Sequence, residues 1–297
     1  LKQNVTIDSD DAADNSVEFD TSATTVNADD ATANNRTLTI TAGTGSVTFD
    51  GAIGNSQALA DLDVTAATIT LNNATVTVND AGSNTATLTG AVVLGANVTI
   101  NTNGVGAADN SLTFTSTVNS DGTPRSLIVT AGEGDVTVTG ITGGANPLVN
   151  VTMSGNDISL NNIGLDASST GATGAVSVTA STKADLSDTG SITLTGVAYI
   201  SGGNSTYEIT DSSVSGENLT IPSGVTVKST GGNIDLLAGD NIDIQTSSNV
   251  QASGAAGTTV TISGDTGGAV DAAGTSIALS GSVQGGATGG IIVNGNV

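Results

Sequence analysis

The chain has 297 residues, 28 of them acidic and five basic, for a net charge of −23, and it contains no histidine, cysteine or tryptophan. That charge excludes a nucleic-acid or anionic-membrane partner, since phosphate binding needs clustered Lys and Arg, and the composition excludes disulfides, thiolate metal sites and imidazole chemistry. Aromatics are 2% and glycines number 40, so core volume must come from thin layers of Val, Ile, Leu and Ala, while a slightly positive mean hydropathy sets the chain apart from disordered sequences.

Pairs of alternating apolar residues predict short strands, each with one buried face. They fall at Val5 and Ile7, Val17 and Phe19, Leu38 and Ile40, Val47 and Phe49, Leu62 and Val64, Ile69 and Leu71, and Val76 and Val78, with Gly-, Asn- or Asp-rich turns between them. NVTI at 4–7 and SVEF at 16–19 return as NVTI at 97–100 and SLTF at 111–114. The best copy is residues 36–74, which return 89 residues later as 125–163 with 15 of 39 positions identical and no gap. Apolar residues recur at alternate places (Ile40 with Val129, Val47 with Val136), and turn formers recur between them (Gly43 with Gly132, Asn73 with Asn162). The repeat keeps an architecture and no reactive group.

Beyond about residue 196 the pattern changes. Apolar pairs then come at Leu219 and Ile221, Val225 and Val227, Ile234 and Leu236, Ile242 and Ile244, and Val260 and Ile262, before a tail with Ile277, Leu279, Ile291 and Val293. No Pro-rich or charged linker intervenes. The expected organisation is one continuous body: residues 1–196 as two copies of a repeat of about 90 residues, and 197–297 as its continuation in shorter coils. The expected class is all-β. A parallel β-helix, or β-solenoid, needs only a narrow apolar layer per coil and tight turns, at roughly 20 residues per three-strand coil and on the order of 14 coils. The alternative is tandem β-sandwich repeats, which would need bulkier inter-sheet residues.

The stretches GNSQALADLDVTAATITLNNATV (54–76) and VKSTGGNIDLLAGDNIDIQTSSNVQAS (227–253) resemble the repeats of giant bacterial surface proteins of the filamentous haemagglutinin and autotransporter-passenger type. The resemblance implies a right-handed parallel β-helix, export across an outer membrane to the cell surface or beyond, and a role as stalk, adhesin or fibre.

Candidate sites are few. Asp8, Asp10, Asp11 and Asp14 crowd the loop IDSDDAADN (7–15), and hard oxygen ligands without sulfur or imidazole suit Ca²⁺. The second copy keeps Asp109 but carries Asn101, Asn103 and Gly104 in place of the other acids, so the competing reading is a solvated acidic loop. GGNIDLLAGD (231–240) approaches a calcium-binding nonapeptide, with Ile234 where a Gly is required. Seven N-x-S/T sequons occur, at Asn4, Asn35, Asn73, Asn97, Asn150, Asn204 and Asn218, and Asn72, Asn73, Asn161 and Asn162 suit turns or side-chain ladders. Catalysis is not expected: paired carboxylates could hydrolyse a glycoside, but five scattered bases, two Tyr and no His offer almost nothing for proton abstraction or sugar stacking.

The sequence begins at Leu1, close to a strand, and is expected to be a processed product or part of a longer protein. Strand-like segments lie near both ends, Asn4, Val5, Thr6 and Ile7 at one and Ile291, Ile292 and Val293 at the other, and unpaired strand edges template further pairing. The expected function is an extracellular structural subunit whose ends stack head to tail on other copies of itself, without membrane insertion. The alternative is a rod-like stalk or adhesin segment that binds a glycan or cell-surface protein through side loops near 202–207 or 166–174.

Overall fold

The computed structural model describes the chain except for residues 12–13, 30–35, 80–83, 105–108, 165–170, 195, 210–216, 255, 265–275 and 296–297. No helix occurs among the described residues, and every strand pairing is parallel, so the antiparallel sandwich alternative is ruled out and the fold is a parallel β-solenoid. It divides into two compact units, Leu1–Asn156 and Asp157–Val297.

The first unit contains β1 (Val5–Asp8), β2 (Val17–Phe19), β3 (Thr37–Thr41), β4 (Ser46–Phe49), β5 (Asp61–Leu71), β6 (Thr75–Thr77), β7 (Thr85–Leu94), β8 (Val98–Asn101), β9 (Ser111–Phe114), β10 (Val118–Ser120), β11 (Leu127–Thr130) and β12 (Val136–Val138); β13 (Val151–Leu160) runs past the division point. Register partners connect these strands into three faces. One face stacks Ile7, Ile40, Val64, Leu88, Phe114 and Val138. The second stacks Val17, Val47, Ile69, Val92, Val118 and Thr142. The third stacks Val26, Ile53, Val76, Ile100, Val129 and Met153. All of these point inward, and beyond the first coil they are essentially inaccessible. Each such burial contributes about 1.5–3 kcal/mol. Alternate residues face solvent, as in the outward row Thr6, Thr39, Asp63, Thr87, Thr113 and Thr137, where β-branched Thr fits the pleat.

The second unit repeats the plan with β14 (Val176–Asp188), β15 (Ile192–Thr193), β16 (Ala198–Ser201), β17 (Ser205–Ile209), β18 (Leu219–Ile221), β19 (Thr226–Ser229), β20 (Ile234–Leu237), β21 (Ile242–Ile244), β22 (Asn249–Ala252), β23 (Val260–Ser263), β24 (Ile277–Leu279), β25 (Ser282–Gln284) and β26 (Ile291–Asn294). Its faces stack Val178, Tyr199, Val227, Val250 and Val283; Leu186, Tyr207, Leu236, Ile262 and Val293; and Ile192, Leu219, Ile242 and Ile277.

Coil length corrects the expectation from sequence. On the first face the steps run Ile7 to Ile40 (33 residues), then 24 to Val64, 24 to Leu88, 26 to Phe114 and 24 to Val138. In the second unit, Val178, Tyr199, Val227, Val250 and Val283 are 21, 28, 23 and 33 residues apart. Coils are therefore longer than about 20 residues and fewer than 14, and those after residue 197 are no shorter than those before. The change of sequence style near residue 196 falls inside the second unit. Corners vary in length while the strand ladder does not, which is why the alternation alone misjudged the step.

The 89-residue repeat does not bring each strand back to its own face. Ile40 and Val64 lie on the first face and their counterparts Val129 and Met153 on the third; Val47 lies on the second and Val136 on the first; Ile53 lies on the third and Thr142 on the second. One copy maps to the next by three coils and two further faces. A repeat can do this because the three faces ask the same of a sequence: two inward apolar residues and a turn.

Phe49 is fully buried and stacks on Phe19 one coil away, centroids 4.9 Å apart and planes 10° from parallel. Phe49→Ala should cost about 3–5 kcal/mol by chemical denaturation, and Phe19→Ala, in the first coil with a neighbour on one side only, distinctly less; equal losses would contradict the stacking order.

Candidate functional site

Two kinds of place combine chemistry with position: the corners, where side chains of one coil reach the backbone of the next, and the open edges of the first and last coils.

At the corners, backbone N–H groups that leave the strand ladder need acceptors. Side chains one coil earlier supply them, and both copies of the repeat supply the same ones. Asn4 Oδ1 accepts from Thr37 N at 3.2 Å, and Asn97 Oδ1 from Ser126 N at 2.9 Å. Ser16 Oγ accepts from Ser46 N and Ser111 Oγ from Asp135 N, both at 3.1 Å. Asn27 Oδ1 accepts from Ser56 N and Asn119 Oδ1 from Ala145 N, both at 3.0 Å. Asp14 Oδ2 accepts from Thr44 N at 2.8 Å, and Asp109 Oδ2 from Glu133 N at 2.6 Å. The arginines of the two copies also pair alike, Arg36 with Asp29 at 2.7 Å and Arg125 with Asp121 at 2.8 Å.

The acidic loop is one of these corners. Asp14, itself at φ 27°, also accepts from Thr44 Oγ1, and Asp8 Oδ1 accepts from Asp10 N at 3.1 Å. A Cβ at Gly43 would fall 2.6 Å from Asp10 Oδ1 and 2.8 Å from Asp14 Oδ1, and Gly43 has φ +54°, so only glycine suits the position. Gly132, at φ +60°, is held the same way under Asp109 and Asn103. The structure thus brings Asp10 and Asp14 together, while Asp8 is turned to the backbone. Among the described residues, three acidic ligand atoms come within 4.8 Å of one another at Glu18, Asp20 and Asp50, and at none of the four acids expected to gather. Asp50 there accepts from Asn72 Nδ2 at 2.7 Å, as another corner contact.

The hydrogen bonds from Thr44 hold the Asp14 carboxyl below the usual range, whereas the hydrogen bond with Asp14 and its charge raise Asp10. A lowered carboxyl stabilises the fold above its unfolded pKa and loses that effect as pH falls; a raised one loses its contribution as pH rises through its folded pKa. Asp61, half-buried beside Asp63, is likewise pushed up to about 6 by burial first and its neighbour's charge second.

Other sequence candidates resolve into structure. Ile234, at the missing-glycine position of the nonapeptide, is fully buried opposite Val260. Asn204 Oδ1 accepts from Asn233 N and Asn218 Oδ1 from Asn241 N, so these sequon asparagines also brace coils. Asn73 and Asn162 are buried, donating to Phe49 O and Ser191 O. Asn35 and residues 166–170 lie outside the described residues. Both tyrosines are buried, packed edge to face at 6.0 Å, so residues 202–207 offer no exposed aromatic surface. Beside them is an open polar groove of about 270 Å³ lined by Ser159, Lys183, Asp185, Thr206 and Glu208, in which Lys183 pairs with Asp185. Sequence reasoning passed over it because its residues are polar strand positions with no motif.

At the edges, β1 pairs with β3 and β26 with β23, each on one side only among the described residues. Val5 and Ile7 are partly exposed where their partners Leu38 and Ile40 are buried. Ile291 is 45% exposed and Leu279 37%, against 0% for their partners Val260 and Ile244.

Comparison with family models, curated proteins and solved structures returns no match.

Asn103 stands in the second copy where Asp10 stands in the first. Asp10→Asn should therefore raise thermal stability at pH 7, where the native residue sets a second charge against Asp14, and the difference should vanish near pH 3; a lower Tm at pH 7 would show that the Asp10 charge is needed.

Proposed function

We propose that this chain is a non-enzymatic structural subunit of an extracellular bacterial fibre, formed by coils stacking head to tail on other copies. The observation that carries the reading is the pair of open edges, whose inward apolar residues are buried in every coil with two neighbours and half-exposed at Leu279 and Ile291. Stacking another coil there would complete the same ladder. The rotated repeat also favours a structural role. A side-binding site inherited by both copies would face different directions, whereas the corner braces are useful on any face. Absence of His and scarcity of bases weigh against catalysis.

The second reading is a stalk or passenger segment of a surface adhesin, its edges covered by further coils of a longer chain. The groove at Lys183, Asp185 and Glu208 favours it as a place where a neutral glycan could be held by hydroxyl hydrogen bonds.

Electron microscopy and sedimentation at near-physiological salt, on the full chain and on a form lacking residues 1–7, separate the two. The fibre reading expects filaments from the full chain and loss of assembly on truncation. Discrete particles from both, with any glycan binding unchanged, would sink it in favour of the adhesin segment.

A further inference from the structure

If copies stack, the order of strands around the coil permits one seamless register, and we propose that the joint between copies places β1 on β24, β2 on β25 and the Val26 strand position on β26. This rests on the stacking reading. In the second unit the chain visits its three faces in a fixed cycle: β25 lies on β22, β26 lies on β23, and the following strand position falls on β24, the last member of the ladder β15, β18, β21, β24. A copy entering with β1 on β24 continues that cycle with no position empty. Entering on β25 or β26 instead would leave one or two strand-sized gaps, exposing inward apolar residues and unpaired backbone groups that the joint exists to cover. On β24, the inward pair Val5 and Ile7 meets the inward pair Ile277 and Leu279, the latter exposed until covered.

Charge fixes the polarity. Residues 1–20 carry six acids, Asp8, Asp10, Asp11, Asp14, Glu18 and Asp20, whereas residues 276–295 carry no charged side chain. Two first coils set about 4.8 Å apart would oppose six acids to six, and a first coil on a last coil opposes six to none.

The chain has no cysteine, so introduced pairs report the register cleanly. The outward residue between Val5 and Ile7 is Thr6, and between Ile277 and Leu279 it is Ala278; adjacent parallel strands lie within disulfide reach. T6C/A278C filaments, mildly oxidised, should give a ladder of covalent multimers on a non-reducing gel that collapses on reduction, and T6C alone should stay monomeric. A ladder from T6C/I292C in place of T6C/A278C, filaments with no ladder from either, or T6C dimers from head-to-head joints would each overturn the proposed joint while leaving stacking intact. Absence of filaments from the cysteine-free chain would overturn the stacking reading and this register with it.

Discussion

Every coil of this protein is too thin to bury its own apolar residues. Val64 is inaccessible because Ile40 lies on one side of it and Leu88 on the other, and the same holds down each of the three faces. The parallel ladder is thus the constraint on which everything else depends: it supplies the backbone hydrogen bonds and, through strict register, keeps like side chains stacked on like. Stability in such an array is a sum of nearest-neighbour terms, so a coil with one neighbour is the weakest and the one with most to gain from a partner.

What holds coil to coil outside the ladder is a small set of polar braces. Asn4, Ser16, Asn27 and Asp14 in the first copy do the work that Asn97, Ser111, Asn119 and Asp109 do in the second. These braces make an acidic, Asn-rich loop intelligible without a ligand. They also explain how a repeat can drift by one face and still fold: each brace spans one coil step, and that step is alike on all three faces.

The inward residues were legible in the sequence, because a period of two is a direct consequence of the pleat, and Val17, Phe19, Leu38 and Ile40 emerge on strands as expected. The repeat was legible too, but the face on which each strand sits was not, since the faces are chemically interchangeable. Coil length was misread because corners of different length separate identical strands. In the acidic loop, the retention of Asp109 where its acidic neighbours became Asn was the signal for a bracing carboxylate, and it is visible only once Thr44 and Glu133 are seen beneath the two acids. Tyr199 and Tyr207 could not be placed by type, because a tyrosine suits a surface or a core equally; their burial follows from lying on inward positions in register with Val178 and Leu186.

The most direct test of the account is a cryo-electron microscopy reconstruction of assembled material at a resolution that separates strands. The account predicts a ladder that crosses each subunit boundary at an unbroken spacing of about 4.8 Å, with the same polarity in every subunit. A gap at the boundary, alternating polarity, or subunits joined through their outward faces would contradict it.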